Sequence, residues 1–246
     1  MNIDTRKIVR IVALIALIAS LCVLAFYIIG DLQDAKTDDD IKDLKGKDTE
    51  AKIPEVLDEY ASLYAENKDT IGWLKIDGTE IDYVVMQAPD EINKYLRNDF
   101  YGKSSTRGCL FVDEYCDIFK SDNIIVYGHN MKDGTMFGTL DRFANESFYS
   151  KHKLIQFDTI YEKHTYEVVA AIKTEIPPKG EKVFRYYEYT SSNDEETFLE
   201  YADFIEKNKL YDTGVEINPG DKLLTLSTCA YHTTDGRFVV VAKQVS

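Results

Sequence analysis

The chain has 246 residues, with 43 Asp and Glu against 29 Lys and Arg and a formal net charge of −14. That balance excludes a nucleic-acid partner, whose phosphates require Lys and Arg, and it excludes a polybasic membrane patch. Acidity of this kind mainly keeps a protein soluble, and the length suits one domain with a sizeable core.

Residues 1–7 read as a short tail. The run Ile8 to Ile29 is almost wholly apolar, with no charge after Arg10, and about 20 such residues span a bilayer core as a helix. Arg6, Lys7 and Arg10 precede it, and Asp31, Asp34 and Asp38 to Asp40 follow it. The positive-inside rule then predicts a cytoplasmic N-terminus and an extracellular remainder. The competing reading is a cleavable signal peptide, whose apolar region runs about 7–15 residues and ends in a small-x-small site. Here the run is longer and ends in Tyr27-Ile28-Ile29-Gly30, which favours an uncleaved anchor over 8–29. Leu21 is too bulky for the small residue that precedes a lipidated cysteine, so Cys22 reads as an ordinary lipid-facing or packing residue. Residues 30–52 are polar and poor in aromatics and form a stalk, and residues 53–246 form the domain.

From Pro54 the pattern is helical, with Val56, Leu57, Tyr60, Leu63 and Tyr64 on one stripe. Pro54 suits the first turn, and the helix ends near Asn67. The period then changes. Ile71 to Ile76 is a strand, Asp77-Gly78 a turn, and Ile81 to Met86 the next strand. Tyr95 and Leu96 fall in a short helical or turn segment. Gly108 to Asp113 and Asn123 to Tyr127 are further strands, the second a continuous apolar run expected of a strand buried on both faces. Met136 to Phe143 is short and amphipathic and predicts a helix. Leu154 to Phe157, Tyr166 to Thr174 and Val183 to Tyr189 read as strands or extended segments. Glu195 to Asn208 carries Phe198, Leu199, Tyr201, Ala202 and Ile205 at helical spacing. Ser192 and Asn193 are cap candidates, and the acidic first turn suits the helix dipole. Leu223 to Ser227 and Phe238 to Ala242 close the chain. Many short strands with turn signals predict a mainly β fold with a few helices, closed as a barrel.

Four cysteines are present. Cys22 lies in the apolar run, so Cys109, Cys116 and Cys229 are the external ones, an odd number that leaves at least one thiol unpaired within the chain. Cys109 and Cys116 are close enough in sequence to pair, though spacing alone does not fix the geometry, and Cys109 also reads as a small buried residue in Cys109-Leu110-Phe111-Val112. No CxxC pair or HExxH is present, so no metal site and no cofactor is expected.

Cys229 ends the run Thr225-Leu226-Ser227-Thr228-Cys229. A thiol at a strand end, outside the cell and near a cation, suits nucleophilic chemistry, which needs a base or thiolate, an acid for the leaving group and donors for the oxyanion. Against it stands the reading of an inert buried cysteine. Among the histidines, His152 and His164 sit among charged residues and read as solvated surface. His232 lies in the loop Tyr231 to Gly236. His129 follows the buried strand in Tyr127-Gly128-His129-Asn130, where a glycine turn sets it at the barrel rim. His129 is favoured over His232 as the acid/base, with a turn residue bonded to backbone as the bland alternative. Antiparallel strands joined by 230–236 would set Arg237 beside Cys229, where a guanidinium holds an acyl oxygen or oxyanion. Its bland alternative is an ion pair with Asp235 or another carboxylate.

These elements resemble the class B sortases, membrane-anchored cysteine transpeptidases of Gram-positive bacteria. The likeness is carried by Thr70 to Ile76 with Ile81-Asp82-Tyr83, Lys94-Tyr95-Leu96, Phe111-Val112-Asp113 and Tyr127 to Met131. It continues through Gly134-Thr135-Met136-Phe137, Thr225 to Cys229 and Arg237. It implies an eight-stranded sortase barrel with an N-terminal helix and a helix before the last strands. It assigns Cys229 as nucleophile, His129 as general acid/base and Arg237 as oxyanion or substrate-positioning residue. Leu96, Tyr127, Ser227 and Thr228 match positions that line the sorting-signal groove, and a backbone N–H near Ala230 would assist the oxyanion. Val84, where the family often has proline, and Ile92-Asn93, where an asparagine often stands nearer 92, depart from the pattern. The implied partners are surface proteins with a C-terminal sorting signal of the NPxTx type, a peptidoglycan-precursor or pilin amine, and the membrane through the N-terminal helix. A pilin-polymerising sortase, a secreted cysteine protease and a silent peptide-binding module are the alternative functions.

Overall fold

The computed structural model describes residues 14–15, 17–30, 32–33, 36, 54–178, 180–191, 195–231 and 233–246. The chain divides into two compact units, Met1–Ile53 and Pro54–Ser246.

In the first unit, Leu14, Ile15 and residues 17–30 are helical, with apolar side chains such as Leu17, Leu24 and Phe26 exposed. Among the described residues no helix is long and apolar enough to cross a membrane. Of the predicted anchor over 8–29, residues 8–13 and 16 lie outside the described residues. The predicted tail 1–7 and most of the stalk 30–52 lie outside them too.

In the second unit, eight strands close into a barrel. They are β1 (Thr70–Lys75), β2 (Asp82–Met86), β3 (Leu110–Val112), β4 (Asn123–Tyr127), β5 (Leu154–Thr159), β6 (Thr165–Glu175), β7 (Leu223–Cys229) and β8 (Gly236–Gln244). Their order around the barrel is β1-β2-β3-β4-β7-β8-β6-β5. The β2–β3 and β4–β7 pairs are parallel and the others antiparallel. Closure leaves no free sheet edge. The helices are α1 (Asp58–Glu66), α2 (Lys94–Arg97), α3 (Glu146–Tyr149) and α4 (Glu195–Asn208).

Strand periodicity on β7 and β8 separates two of the cores. On β8, Phe238, Val240 and Ala242 face the barrel interior with Leu224 and Leu226 of β7. Val239 and Val241 face outward and pack with Val169, Ile172 and the α4 residues Phe198, Tyr201 and Ile205. The three helix residues recur at i, i+3 and i+7, so they form one stripe, and burying each contributes roughly 1.5–3 kcal/mol. Leu199, expected on that stripe, is exposed. The cap candidates Ser192 and Asn193 lie outside the described residues.

Three local expectations are corrected. Helix α1 starts at Asp58, after Pro54, because the Leu57 N–H donates to Ile160 O at 2.8 Å and keeps the preceding chain extended. Met136 to Phe143 is not one helix. Met136 adopts φ 53° and bridges to Asn130, residues 137–139 form turns, and only Leu140–Ala144 is helical, as 3₁₀. Over Val183 to Tyr189 the extended segment gives way to a 3₁₀ turn, Tyr186–Glu188, which lays the Tyr186 ring against Phe204 of α4.

Candidate active site

Strand β7 ends at Cys229, and the register sets Cys229 opposite Arg237. Directly opposed residues of antiparallel strands point to the same face, with Cβ atoms about 4.5–5.5 Å apart. Period two then puts Thr225, Ser227 and Cys229 on the outward face with Arg237, Val239 and Val241. The Cys229 thiol is free and exposed. Arg237 is half-buried, and its Nη1 donates to the carbonyls of Gly236 at 2.9 Å and Asp235 at 3.3 Å. Its contact with Asp235 is therefore through the main chain. Among the described residues it makes no ion pair, so its remaining donors stay open to an anionic oxygen.

His129 arrives on the neighbouring segment, just after β4. The parallel β4–β7 ladder ends at Tyr127 opposite Ser227, and Gly128 N–H extends it to Ser227 O at 3.3 Å. Gly128 is buried, and a Cβ there would strike Leu110 and Phe137, so glycine lets the chain lie flat against the barrel end just before His129. His129 Nε2 lies 2.8 Å from Leu96 O. A carbonyl only accepts, so Nε2 carries the proton and the neutral ring keeps its lone pair on Nδ1. The backbone contact and an acid/base role are thus compatible: Leu96 O orients the ring and leaves Nδ1 available. That carbonyl is held by α2 against Gly108, whose φ is +60° and whose Cβ would clash with Tyr95 O. His232 lies outside the described residues. His152 and His164 are half-buried and engaged, His152 with Asp77 O and His164 with Gln244, which corrects their reading as solvated.

The other expected site residues divide. Leu96 and Tyr127 are half-buried near His129, and Tyr127 OH donates to the buried Asp113 carboxylate at 3.0 Å. Burial first, and Asp113 next, hold the Tyr127 phenol protonated far above its usual range. Ser227 and Thr228 are 1% and 3% exposed. The Ser227 hydroxyl pairs with Tyr186 OH at 2.8 Å, and Thr228 donates to Gly128 O at 2.7 Å. Their side chains support the site from beneath rather than lining an open groove. The Ala230 N–H donates to Gly236 O at 2.9 Å. It is the last rung of the β7–β8 hairpin, so in this structure it is not a free oxyanion donor.

Two residues escaped the sequence reading. Tyr186 is buried beside the pair, and burial pushes its phenol up to about 12 despite the opposing effects of the Ser227 hydrogen bond and the Arg237 charge. Asn130 Nδ2 donates to Cys229 O at 2.8 Å. Cys109 and Cys116 are free and buried, and burial pushes their thiols up to about 11 and about 12, which keeps them protonated and poorly nucleophilic. Among the described residues no group of His, Cys, Asp or Glu is placed to hold a metal ion.

The Sortase domain family matches residues 74–245. The chain belongs to the sortase family. Its relatives are of the class B type. Sortase B of Staphylococcus aureus is 34% identical over 191 residues, covering 76% of this chain and 75% of that protein. The structure of a Staphylococcus aureus sortase B–substrate complex superposes with TM-score 0.68 at 32% identity, over 88% of this chain and 98% of that one. A sortase B complexed with triglycine gives TM-score 0.68 at 34% identity, over 76% and 86%. This sortase is thus a class B cysteine transpeptidase, built on the eight-stranded barrel expected of it.

Proposed function

We propose that this sortase cleaves an NPxTx-type sorting signal after its threonine and passes the acyl group to an amine of a cell-wall precursor. Cys229 is the nucleophile, His129 the general acid/base and Arg237 the oxyanion donor. The thiolate attacks the threonine carbonyl, and Arg237 receives the developing negative charge. His129 protonates the departing amine through Nδ1, leaving a thioester on Cys229. An incoming amine attacks that thioester, gives its proton to His129 and releases the new amide with the thiolate restored. Leu96 and Tyr127 border the bound signal, and Ser227 and Thr228 brace Cys229 from below. The scheme needs no cofactor.

The observation that carries this reading is the Cys229–Arg237 register pair at the barrel rim, with His129 on the adjoining segment after β4. The triglycine complex of a related sortase B supports an amine acceptor of the glycine type. The apolar, exposed helical residues at 14–15 and 17–29 support a single-pass anchor over 8–29. The tail 1–7 is then inside, and the stalk 30–52 and the domain 53–246 are outside.

The test offers the chain quenched peptides of NPxTx and LPxTG type with triglycine, beside Cys229→Ala. Mass spectrometry should find cleavage after threonine and a triglycine adduct, both absent from the variant. Free acid as the only product would replace the transferase reading with a protease. Cleavage surviving in Cys229→Ala would remove Cys229 from the mechanism.

A further inference from the structure

The nucleophile and the imidazole stand on different chain segments, and the backbone ladder joining those segments stops before it reaches either. Beyond Tyr127 and Ser227, the ladder adds only the Gly128 N–H bond to Ser227 O, at 3.3 Å. Side chains take over from there. Thr228 Oγ1 donates to Gly128 O at 2.7 Å, on the N-terminal side of His129. Asn130 Nδ2 donates to Cys229 O at 2.8 Å, on its C-terminal side. His129 is bracketed by two side-chain bonds that tie its segment to the strand of Cys229.

The second bond has a further effect. The peptide linking Cys229 to Ala230 is held at both ends: its carbonyl accepts from Asn130, and its N–H donates to Gly236 O at 2.9 Å. A peptide group is planar, so two bonds fix its rotation, and with it the direction in which the Cys229 Cα–Cβ bond leaves the strand end. Asn130 is itself anchored, since it bridges to Met136 and its carbonyl accepts from Tyr231 OH at 3.4 Å.

We propose, resting on the assignment of Cys229 and His129 above, that Asn130 is a positioning residue for both acyl-transfer steps. Its amide sets the placement of the Cys229 peptide relative to the His129 ring. The role demands a donor. Aspartate has the same shape but in its ionised form offers only acceptors to the Cys229 carbonyl. Alanine removes the contact and leaves the carbonyl to water.

The test compares the full chain in detergent micelles as wild type, Asn130→Ala, Asn130→Asp and Cys229→Ala. It reads kcat, KM, the pH profile of kcat and the melting temperature. An ångström of misplacement costs up to about a hundredfold in rate, so both Asn130 variants should lose roughly tenfold to a hundredfold in kcat. KM should stay within about twofold, because the signal binds before chemistry. The melting temperature should hold. Asn130→Asp should also move the pH profile of kcat upward, since a nearby negative charge favours the protonated forms of thiol and imidazole. The proposal is overturned if the isosteric Asn130→Asp keeps kcat within about twofold of wild type. It is equally overturned if activity falls only in step with the folded fraction while the pH profile stays in place. Should Asn130→Ala fail to fold, Asn130→Asp decides alone. Cys229→Ala separates the two levels: an active Cys229→Ala removes the parent mechanism, whereas a dead Cys229→Ala beside a fully active Asn130→Asp removes only the positioning role.

Discussion

The two faces of β7 differ in what they contribute. Inside the barrel, Leu224 and Leu226 are fully buried in an apolar core. Outside, Thr225, Ser227 and Cys229 step along the same strand toward the rim. The first two hydroxyls are taken up by Tyr201 and Tyr186, each at 2.8 Å. Only the third position is exposed with a free thiol. One face supplies stability without chemistry. The other uses its polar groups to fix the strand until it ends at the exposed thiol of Cys229. Asn123 reinforces this outer ladder, accepting from Thr225 at 2.8 Å and donating to Tyr189 O at 2.8 Å. Buried polar groups that are all paired in this way hold one arrangement rigidly.

That contrast can be broken from either side. If Arg237 on the outer face is the oxyanion donor proposed above, Arg237→Ala should cost about 10²–10³ in kcat, and circular dichroism should show an unchanged fold. Leu226→Ala on the inner face should do the reverse. It costs about 2–5 kcal/mol in urea unfolding, while kcat per folded molecule stays near wild type. Equal losses of activity and stability in both variants would dissolve the distinction between the faces. Tyr186→Phe sharpens it further, because it keeps the ring and leaves the buried Ser227 hydroxyl without its partner. A stability loss of about 1–3 kcal/mol is expected, with a fall in kcat because Ser227 lies two residues before Cys229. A Tyr186→Phe protein with full kcat would show that the outer ladder does not reach the thiol.

The smallest effect concerns alkaline pH. Burial raises Tyr95, Tyr166 and Tyr186 to about 12 from an ordinary 10.0, and Cys116 to about 12 from 9.0. Their neutral forms are favoured in the folded state, so the stability they contribute is complete below the unfolded values. It is lost as pH climbs from about 9 through 12. Denaturant midpoints should therefore fall across that window, and a flat midpoint would contradict the buried, protonated state of these groups.

Much of this architecture was legible beforehand. The apolar run Asn123–Tyr127 and the helix Glu195–Asn208 appeared with the bounds the structure gives, because continuous apolarity and a helical stripe are local signals. The Cys229–Arg237 pairing followed from a short hairpin with regular register. What escaped depends on contacts between distant residues. Strand parity shows that Ser227 faces outward, but not that a tyrosine 41 residues earlier claims its hydroxyl. Nothing local shows that the Ala230 N–H is used within the hairpin, or that Asn130 reaches a carbonyl 99 residues away. Met136 looked helical because its neighbours have helical spacing, while its left-handed backbone is set by the bridge to Asn130. That bridge is part of the anchoring of the segment that carries His129.

The central claim is that acyl transfer passes through a thioester on Cys229. The direct measurement incubates the full chain with an NPxTx-type peptide and no acceptor amine, then takes the intact mass and maps the adduct. The expected result is a mass gain equal to the peptide through its threonine, located on Cys229, absent from Cys229→Ala and discharged on adding triglycine. An adduct on Cys109 or Cys116, or turnover with no adduct at Cys229 under rapid quenching, would contradict it.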